Sequence, residues 1–133
     1  LHQDSSRAFD LAIEKEVGII VKIPLDSGWL SGKYTAESTF HDIRSRWSIQ
    51  DIQTRARLVN KVKEIIQAKD NLAQKAISFC LAHDAVSTVI PGNVNIAQLT
   101  NNVESINNPI SRELVEKLEE FYLNEVKQLH LPW

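Results

Sequence analysis

Apolar positions along the chain follow two periods, and the alternation between them predicts its elements. Ala8, Phe9, Ala12 and Ile13 recur at helical spacing, so residues 5–16 read as a short helix with Gly18 as its left-handed stop. The β-branched run from Gly18 to Ile23 reads as a strand buried on both faces and ended by Pro24. Residues 25–41 show no convincing period and read as a long functional loop. Ile52, Ala56, Val59, Val62 and Ile66 form one stripe of a helix over 48–69, with Ser48 and Asp51 as a capping box. A second helix spans 72–83. Asn71 caps it, and Ala73, Ala76, Ile77, Cys80 and Leu81 face a core. Val86–Ile90 is the next buried strand, followed by helices over 95–106 and 111–122, the latter capped by Ser111.

Strands that read as continuous apolar runs and alternate with helices indicate parallel β/α units. Only two such strands are present. Two parallel strands do not form a covered sheet, and their edges stay open for pairing. A closed (β/α)8 barrel takes roughly 250 residues, and this chain has 133. Its length and pattern therefore predict an α/β partial (β/α)8 TIM barrel, the last two to three βα units plus a C-terminal helix, with 1–133 as one C-terminal fragment. The chain opens at Leu1 and holds no Met. A processed start and a missing upstream part both account for that.

Composition changes this picture little. At 43% hydrophobic and 24% charged, the chain has the means for a core. A formal charge of −2 gives no global basic field for nucleic acid. Arg55, Arg57, Lys61, Lys63 and Lys69 make the long helix basic, but Asp51, Glu64 and Asp70 interrupt it and no stacking platform accompanies it. No run approaches the about 18 apolar residues of a membrane span. Cys80, the sole cysteine, precludes an internal disulfide and fits a reducing, cytoplasmic setting; on an apolar helix face it reads as core rather than nucleophile.

In parallel β/α folds, ligands sit beyond the carboxyl ends of strands. Two loops take that place. The second, Ile90–Gln98, has Gly92 for close backbone approach, and a helix N-terminus at Asn95 with orphan N–H groups and a positive dipole end. Asn93 and Asn95 cap or donate. Gln98, Asn101 and Asn102 lie along one flank within reach of a base or ribose. Equally, Pro91-Gly92-Asn93 reads as a plain turn and Asn95 as a plain cap. The first loop, Pro24–Tyr34, supplies Ser27, Gly28, Gly32 and Lys33. Lys33 is placed to neutralise a phosphate or to be an ordinary solvated lysine.

Together the loops carry a more specific pattern. Pro24, Leu25, Gly28, Leu30, Gly32, Lys33 and Tyr34, then Ile90, Pro91, Gly92, Gln98, Leu99 and Asn102, resemble in order and spacing the C-terminal third of the aldo-keto reductase family. Leu72–Ile77 resembles the family's penultimate helix, and Asp42–Trp47 a loop of its bacterial and potassium-channel-subunit-like branches. The resemblance covers nearly the whole chain. It implies a barrel that binds NADPH in extended form and reduces small-molecule carbonyls. Pro24, Leu25, Ser27, Gly28 and Lys33, with Arg44, would then serve the pyrophosphate. Gly92, Asn93, Val94, Gln98, Asn101 and Asn102 would serve the adenosine end.

The pattern departs from the family in two places. Lys22 and Ile23 stand where many members carry an aromatic residue against the nicotinamide, and no basic residue lies between Pro91 and Asn102 to grip a 2′-phosphate. NADH therefore stays open beside NADPH. The resemblance also implies that the catalytic Tyr, Lys, Asp and His come from the barrel's N-terminal half. Leu1–Asp4 resembles the exit of its sixth strand. Tyr34 and Tyr122 follow the wrong motifs, and His2, His41, His83 and His130 read as surface or helix-terminal residues, so no catalytic or metal-ligating residue is assigned. Trp29 and Trp133 are placed to line a carbonyl pocket. Two functions follow: part of an NAD(P)H-dependent oxidoreductase, completed by a missing barrel half, or a non-enzymatic assembly module pairing its open edge with another chain or copy.

Overall fold

β1 (Ile19–Lys22) and β2 (Val86–Ile90) pair in parallel in a two-stranded sheet, with Lys22 opposite Ile90. The chain is seen here as a computed structural model that describes residues 1–67, 71–129 and 131–132. A bulge between Ile19 and Ile20 sets the register. Gly18 brings the strands together, since a Cβ there would lie 2.3 Å from Ser87 Oγ. It does not stop the preceding helix. Glu16 takes the left-handed conformation instead, at φ 54°, and the Val17 amide donates back to the Ala12 carbonyl.

The expectation that both strands are buried on both faces is overturned. Ile20 is 62% exposed and Ile90 56%. A barrel strand is covered outside by helices and inside by opposite strands; among the described residues the sheet has two strands, and Ile20 and Ile90 meet solvent. Residues 1–3 lead into a 3-10 turn (Asp4–Ala8), which precedes α1 (Phe9–Glu14).

The core is helical. α2 (Ile49–Ile66) buries its whole stripe, Ile52, Ala56, Val59, Val62 and Ile66, and each of its Ile and Val side chains contributes on the order of 1.5–3 kcal/mol. Its capping box is present: Ser48 Oγ accepts from the Asp51 amide at 3.1 Å, and Asp51 Oδ2 accepts from the Ser48 amide at 2.9 Å. The helix ends at Ile66, three residues earlier than expected, with Gln67 left-handed. Lys69 and Asp70 lie outside the described residues. α3 (Leu72–Leu81) starts at its Asn71 cap and buries Leu72, Ile77 and Ser78, while Leu81 is exposed rather than core. α4 (Ile96–Val103) continues as a 3-10 turn (Glu104–Asn107). α5 (Arg112–Phe121), capped by Ser111, adds Val115, Leu118 and Phe121 to the core before a π turn (Tyr122–Val126).

The expected loop 25–41 is more structured than its lack of period implies. A run of tight turns over Asp26–Ser31, kinked at left-handed Ser27 and Gly28, drops Trp29 and Leu30 into the core against Trp47 and α2. Trp29 is fully buried, so it lines no carbonyl pocket; its ring packs on Tyr34, Phe40 and Trp47 at 5.5, 6.1 and 6.1 Å between centroids. Trp133 lies outside the described residues. Arg55, counted above with the basic face of α2, is buried within the helix's apolar stripe. The basic face thereby loses one of its charges.

Candidate functional site

The register that sets Lys22 beside Ile90 sends both candidate loops off the same end of the sheet, Pro24 from β1 and Pro91 from β2. That end is the carboxyl end of two parallel strands, where β/α folds place ligands.

The first loop is a tight, strained turn. Ile23, Asp26, Ser27 and Gly28 all have positive φ, at 57°, 48°, 55° and 95°. For residues other than glycine, such conformations cost on the order of 1–3 kcal/mol each and persist only where the surroundings hold them. Several bonds do so. The Gly28 and Leu30 amides donate to the Leu25 carbonyl at 2.9 and 3.0 Å, and Ser31 Oγ donates to the Gly28 carbonyl at 2.6 Å. Pro24 is buried; Leu25, Ser27 and Gly28 are half-buried.

Arg44, distant in sequence, is brought to this loop by the 3-10 turn Ile43–Arg46. Its Nη1 donates to the Ser27 carbonyl at 3.4 Å and to Tyr34 Oη. Its Nε and Nη2 donate to Asp42, which raises the guanidinium pKa and lowers the carboxyl's. Lys33 Nζ sits 4.9 Å from the Tyr34 ring centre and the Arg44 guanidinium 5.3 Å from it. Two cations therefore share one aromatic ring beside Gly28, with Arg44 already holding a carboxylate. A Cβ at Gly28 would meet Tyr34 Cε2 at 3.1 Å and Arg44 Nη1 at 3.6 Å.

The second loop carries no charge. No Asp, Glu, Lys, Arg or His occurs from Ala85 to Val103. Gly92, Val94 and Gln98 are exposed, and a Cβ at Gly92 would meet nothing within 4 Å. Asn95 Oδ1 accepts from the Gln98 amide at 2.9 Å, and Gln98 Oε1 accepts from the Val94 amide at 3.0 Å. Asn102 is buried and donates to Asn93 Oδ1 at 2.6 Å; Asn93 donates to the Pro91 carbonyl at 3.1 Å. Asn101 turns towards α3. Its Nδ2 donates to Asn71 Oδ1 at 3.2 Å, and its Oδ1 accepts from Gln74 Nε2 at 3.2 Å. The polar flank of α4 thus faces the protein, while Ile96, Leu99 and Val103 face solvent.

A cavity of about 380 Å³ lies behind the first loop, between residues 2–4, the end of β1, α3 and α5. Pro24 and Asp26 line it; nothing from Ile90 to Asn102 does. Cys80 also lines it, and burial pushes its thiol up to about 11, which leaves little thiolate near neutrality. His83 closes α3 between Phe79 and Phe9 at ring distances of 5.0 and 5.2 Å, and burial lowers its pKa. His41 is exposed, and His130 lies outside the described residues. Among the described residues no three His, Cys, Asp or Glu gather as a metal site, and no helix is long and apolar enough to cross a membrane.

Sequence reasoning missed the anchor of the first loop. Asp26 and Arg55 form a buried ion pair, Nη1 to Oδ2 2.9 Å and to Oδ1 3.1 Å. A signal existed: Arg55 stands three residues after Ile52 and four before Val59, inside the apolar stripe itself, and a cation there requires a buried partner.

Comparison with known proteins fits this geometry. The family model for aldo/keto reductases matches residues 1–123. The L-glyceraldehyde 3-phosphate reductase of Escherichia coli is 32% identical over 116 residues, spanning 79% of this chain and 33% of that protein. Two structures of an aldo-keto reductase from Bacillus halodurans resemble it. The apo form has a TM-score of 0.69 at 24% identity over 90% of this chain, and the holo form 0.66 at 25% over 89%; each match covers 39% of that protein. This chain belongs to the aldo/keto reductase family, has that family's α/β fold, and spans about a third of the curated relative it matches.

Proposed function

We propose that the chain is the C-terminal, cofactor-gripping part of an aldo/keto reductase: the last two to three βα units of a (β/α)8 barrel plus the C-terminal helix, working in a reducing cytoplasm. The observation that carries this is the parallel register of β1 and β2, which opens the two loops side by side at one end of the sheet. Support also comes from the share of its relatives' length that the chain spans.

The residues present fit a dinucleotide unevenly. The first loop offers Lys33, which has no carboxylate within ion-pair distance among the described residues, and a strained turn at whose Gly28, φ 95°, a Cβ would press on Tyr34 at 3.1 Å. Pro24, Leu25, Ser27, Gly28 and Lys33 would hold the pyrophosphate. Arg44 would join them by exchanging Asp42 for a phosphate oxygen. At the second loop, the open backbone at Gly92 and the exposed Val94 and Gln98 suit an uncharged adenosine face. Asn93 and Asn102 would brace that loop, and Asn101 would anchor it to α3. A loop without a cation supplies nothing for a 2′-phosphate, so NADH fits it as well as NADPH does.

A bound reduced nicotinamide dinucleotide would supply hydride to the carbonyl carbon of a small aldehyde or ketone. The residues here bind and orient it, and the proton donor would come from the barrel's other part. The name of the Escherichia coli relative points to phosphorylated aldehydes as one substrate class.

Titration of the 133-residue chain with NADPH and NADH, followed by tryptophan fluorescence, tests this. Saturable binding that weakens with salt is expected. No saturation by roughly 1 mM of either, which would mean binding weaker than about 4 kcal/mol, overturns it. Turnover of an aromatic aldehyde by this chain would overturn the assignment of the proton donor elsewhere.

A second reading, an assembly module without chemistry, is favoured by one observation: the exposed Ile20 and Ile90 on an open two-stranded sheet.

A further inference from the structure

Arg55 is fully buried and touches two segments far apart in sequence. Its Nη1 holds both oxygens of Asp26, at 2.9 and 3.1 Å. Its Nη2 donates to the Pro132 carbonyl at 2.5 Å. The guanidinium lies 4.6 Å from the Trp47 ring centre, and Leu131, next to Pro132, is buried in the same core. Asp26 is the first of three consecutive left-handed residues in the first loop.

The cluster is poorly built for stability alone. Arg55 Nε, Trp29 Nε1 and Trp47 Nε1 are buried with no hydrogen-bond partner among the described residues. Buried N–H groups without partners are unfavourable, and a buried ion pair is weak evidence for stability. A planar guanidinium with two separate arms does have one capacity that packed hydrocarbon lacks: it fixes two groups relative to each other.

We propose that Arg55 is a positioning residue that couples the C-terminal segment to the first loop. One arm holds Asp26 and with it the left-handed turn through Ser27 and Gly28; the other has the Pro132 carbonyl as its partner among the described residues. Release of the C-terminal segment frees that arm, loosens the Asp26 carboxylate and lets the turn relax from its strained form. The segment thus acts as a strap on the loop to which the pyrophosphate role was given above, and the functional part of this inference rests on that reading.

Amide hydrogen exchange on the 133-residue chain and on a form shortened by residues 131–133 tests the coupling without any ligand. The Gly28 and Leu30 amides, both donating to Leu25, are expected to exchange about tenfold faster in the shortened form, the scale of one lost bond to a charged group. Val59 and Val62, in the middle of α2, are expected to keep their rates. Unchanged loop exchange overturns the proposal. So does equal acceleration in α2, which would make the segment a general brace. Arg55→Lys retains the charge but cannot reach three oxygens in a plane, and the same local loss is expected from it; if it unfolds the chain, the shortened form decides. NADPH titration is the separate arm. About tenfold weaker binding by the shortened form is expected, following the loop's loss of order. Failure of the intact chain to bind NADPH would sink the proposed function and leave the exchange result standing; binding unaffected by a loosened loop would sink the functional part of the strap.

Discussion

The phenol of Tyr122 donates a 2.6 Å hydrogen bond to Oδ1 of Asp4 and thereby joins residues at opposite ends of the chain. It seats the N-terminal segment on the turn that follows α5, beside the Gln3 side chain, which donates to the Leu118 carbonyl at 3.2 Å. The bond lowers the Asp4 pKa. Burial, then the nearby carboxylate, pushes the phenol up to about 12.

Two pH windows follow from that pair. Asp4 is depressed when folded, so its contribution is present above the ordinary carboxyl value of 3.8 and is lost as pH falls through the lowered one. Tyr122 is raised from 10.0, so the folded state holds its proton longer. Its contribution is complete below 10.0 and disappears as pH rises towards about 12. Urea midpoints measured from pH 9 to 12 should fall across that upper window, and Tyr122→Phe should flatten the fall. An equal fall in the variant would remove Tyr122 as the cause.

Arg55→Met should destabilise the chain by about 3–5 kcal/mol, because it strands the Asp26 carboxylate in the interior. Asp26→Asn combined with Arg55→Met should cost less than the sum of the single changes, with a coupling of about 1–3 kcal/mol. Urea unfolding of all four proteins gives the cycle. Strict additivity would mean that the pair does not act as a unit.

Glycines in the two loops should respond differently to alanine. Gly28 has φ 95° and would press a Cβ on Tyr34 at 3.1 Å, so Gly28→Ala should lower stability by about 1–3 kcal/mol. Gly92 has neither constraint. Gly92→Ala should leave stability within about 0.5 kcal/mol yet weaken dinucleotide binding if a ligand approaches that backbone. Thermal melts and a fluorescence titration separate the two effects.

The outward stripe of α4, Ile96, Leu99 and Val103, at 81, 48 and 55% exposure, should make the isolated chain self-associate as its concentration rises. Leu99→Glu should return it to monomer on a sizing column without lowering its melting temperature. A wild-type chain that stays monomeric at high concentration would argue against both the open-edge expectation and the assembly reading.

Local physics made much of this legible in the sequence. The capping box at Ser48 and Asp51, the caps at Asn71, Asn95 and Ser111, the α2 stripe and both strands depend on neighbours a few residues away, and all stand where spacing put them. The ordered motifs of the two loops also indicated the family, because each is a short run read along the chain. Tertiary structure alone decided the rest. Whether Ile20 and Ile90 are buried depends on how many strands surround them, and among the described residues each strand has one neighbour. Whether Trp29 lines a pocket or fills the core depends on Trp47 and α2. Asn101 cannot be assigned to ligand or to α3 until Asn71 is beside it. Arg55 carries the same distinction furthest: its sequence position says only that a charge lies within an apolar stripe, and the fold alone sets Asp26 against one side of it and Pro132 against the other, because a buried charge takes its partner from whichever segment packing brings within reach.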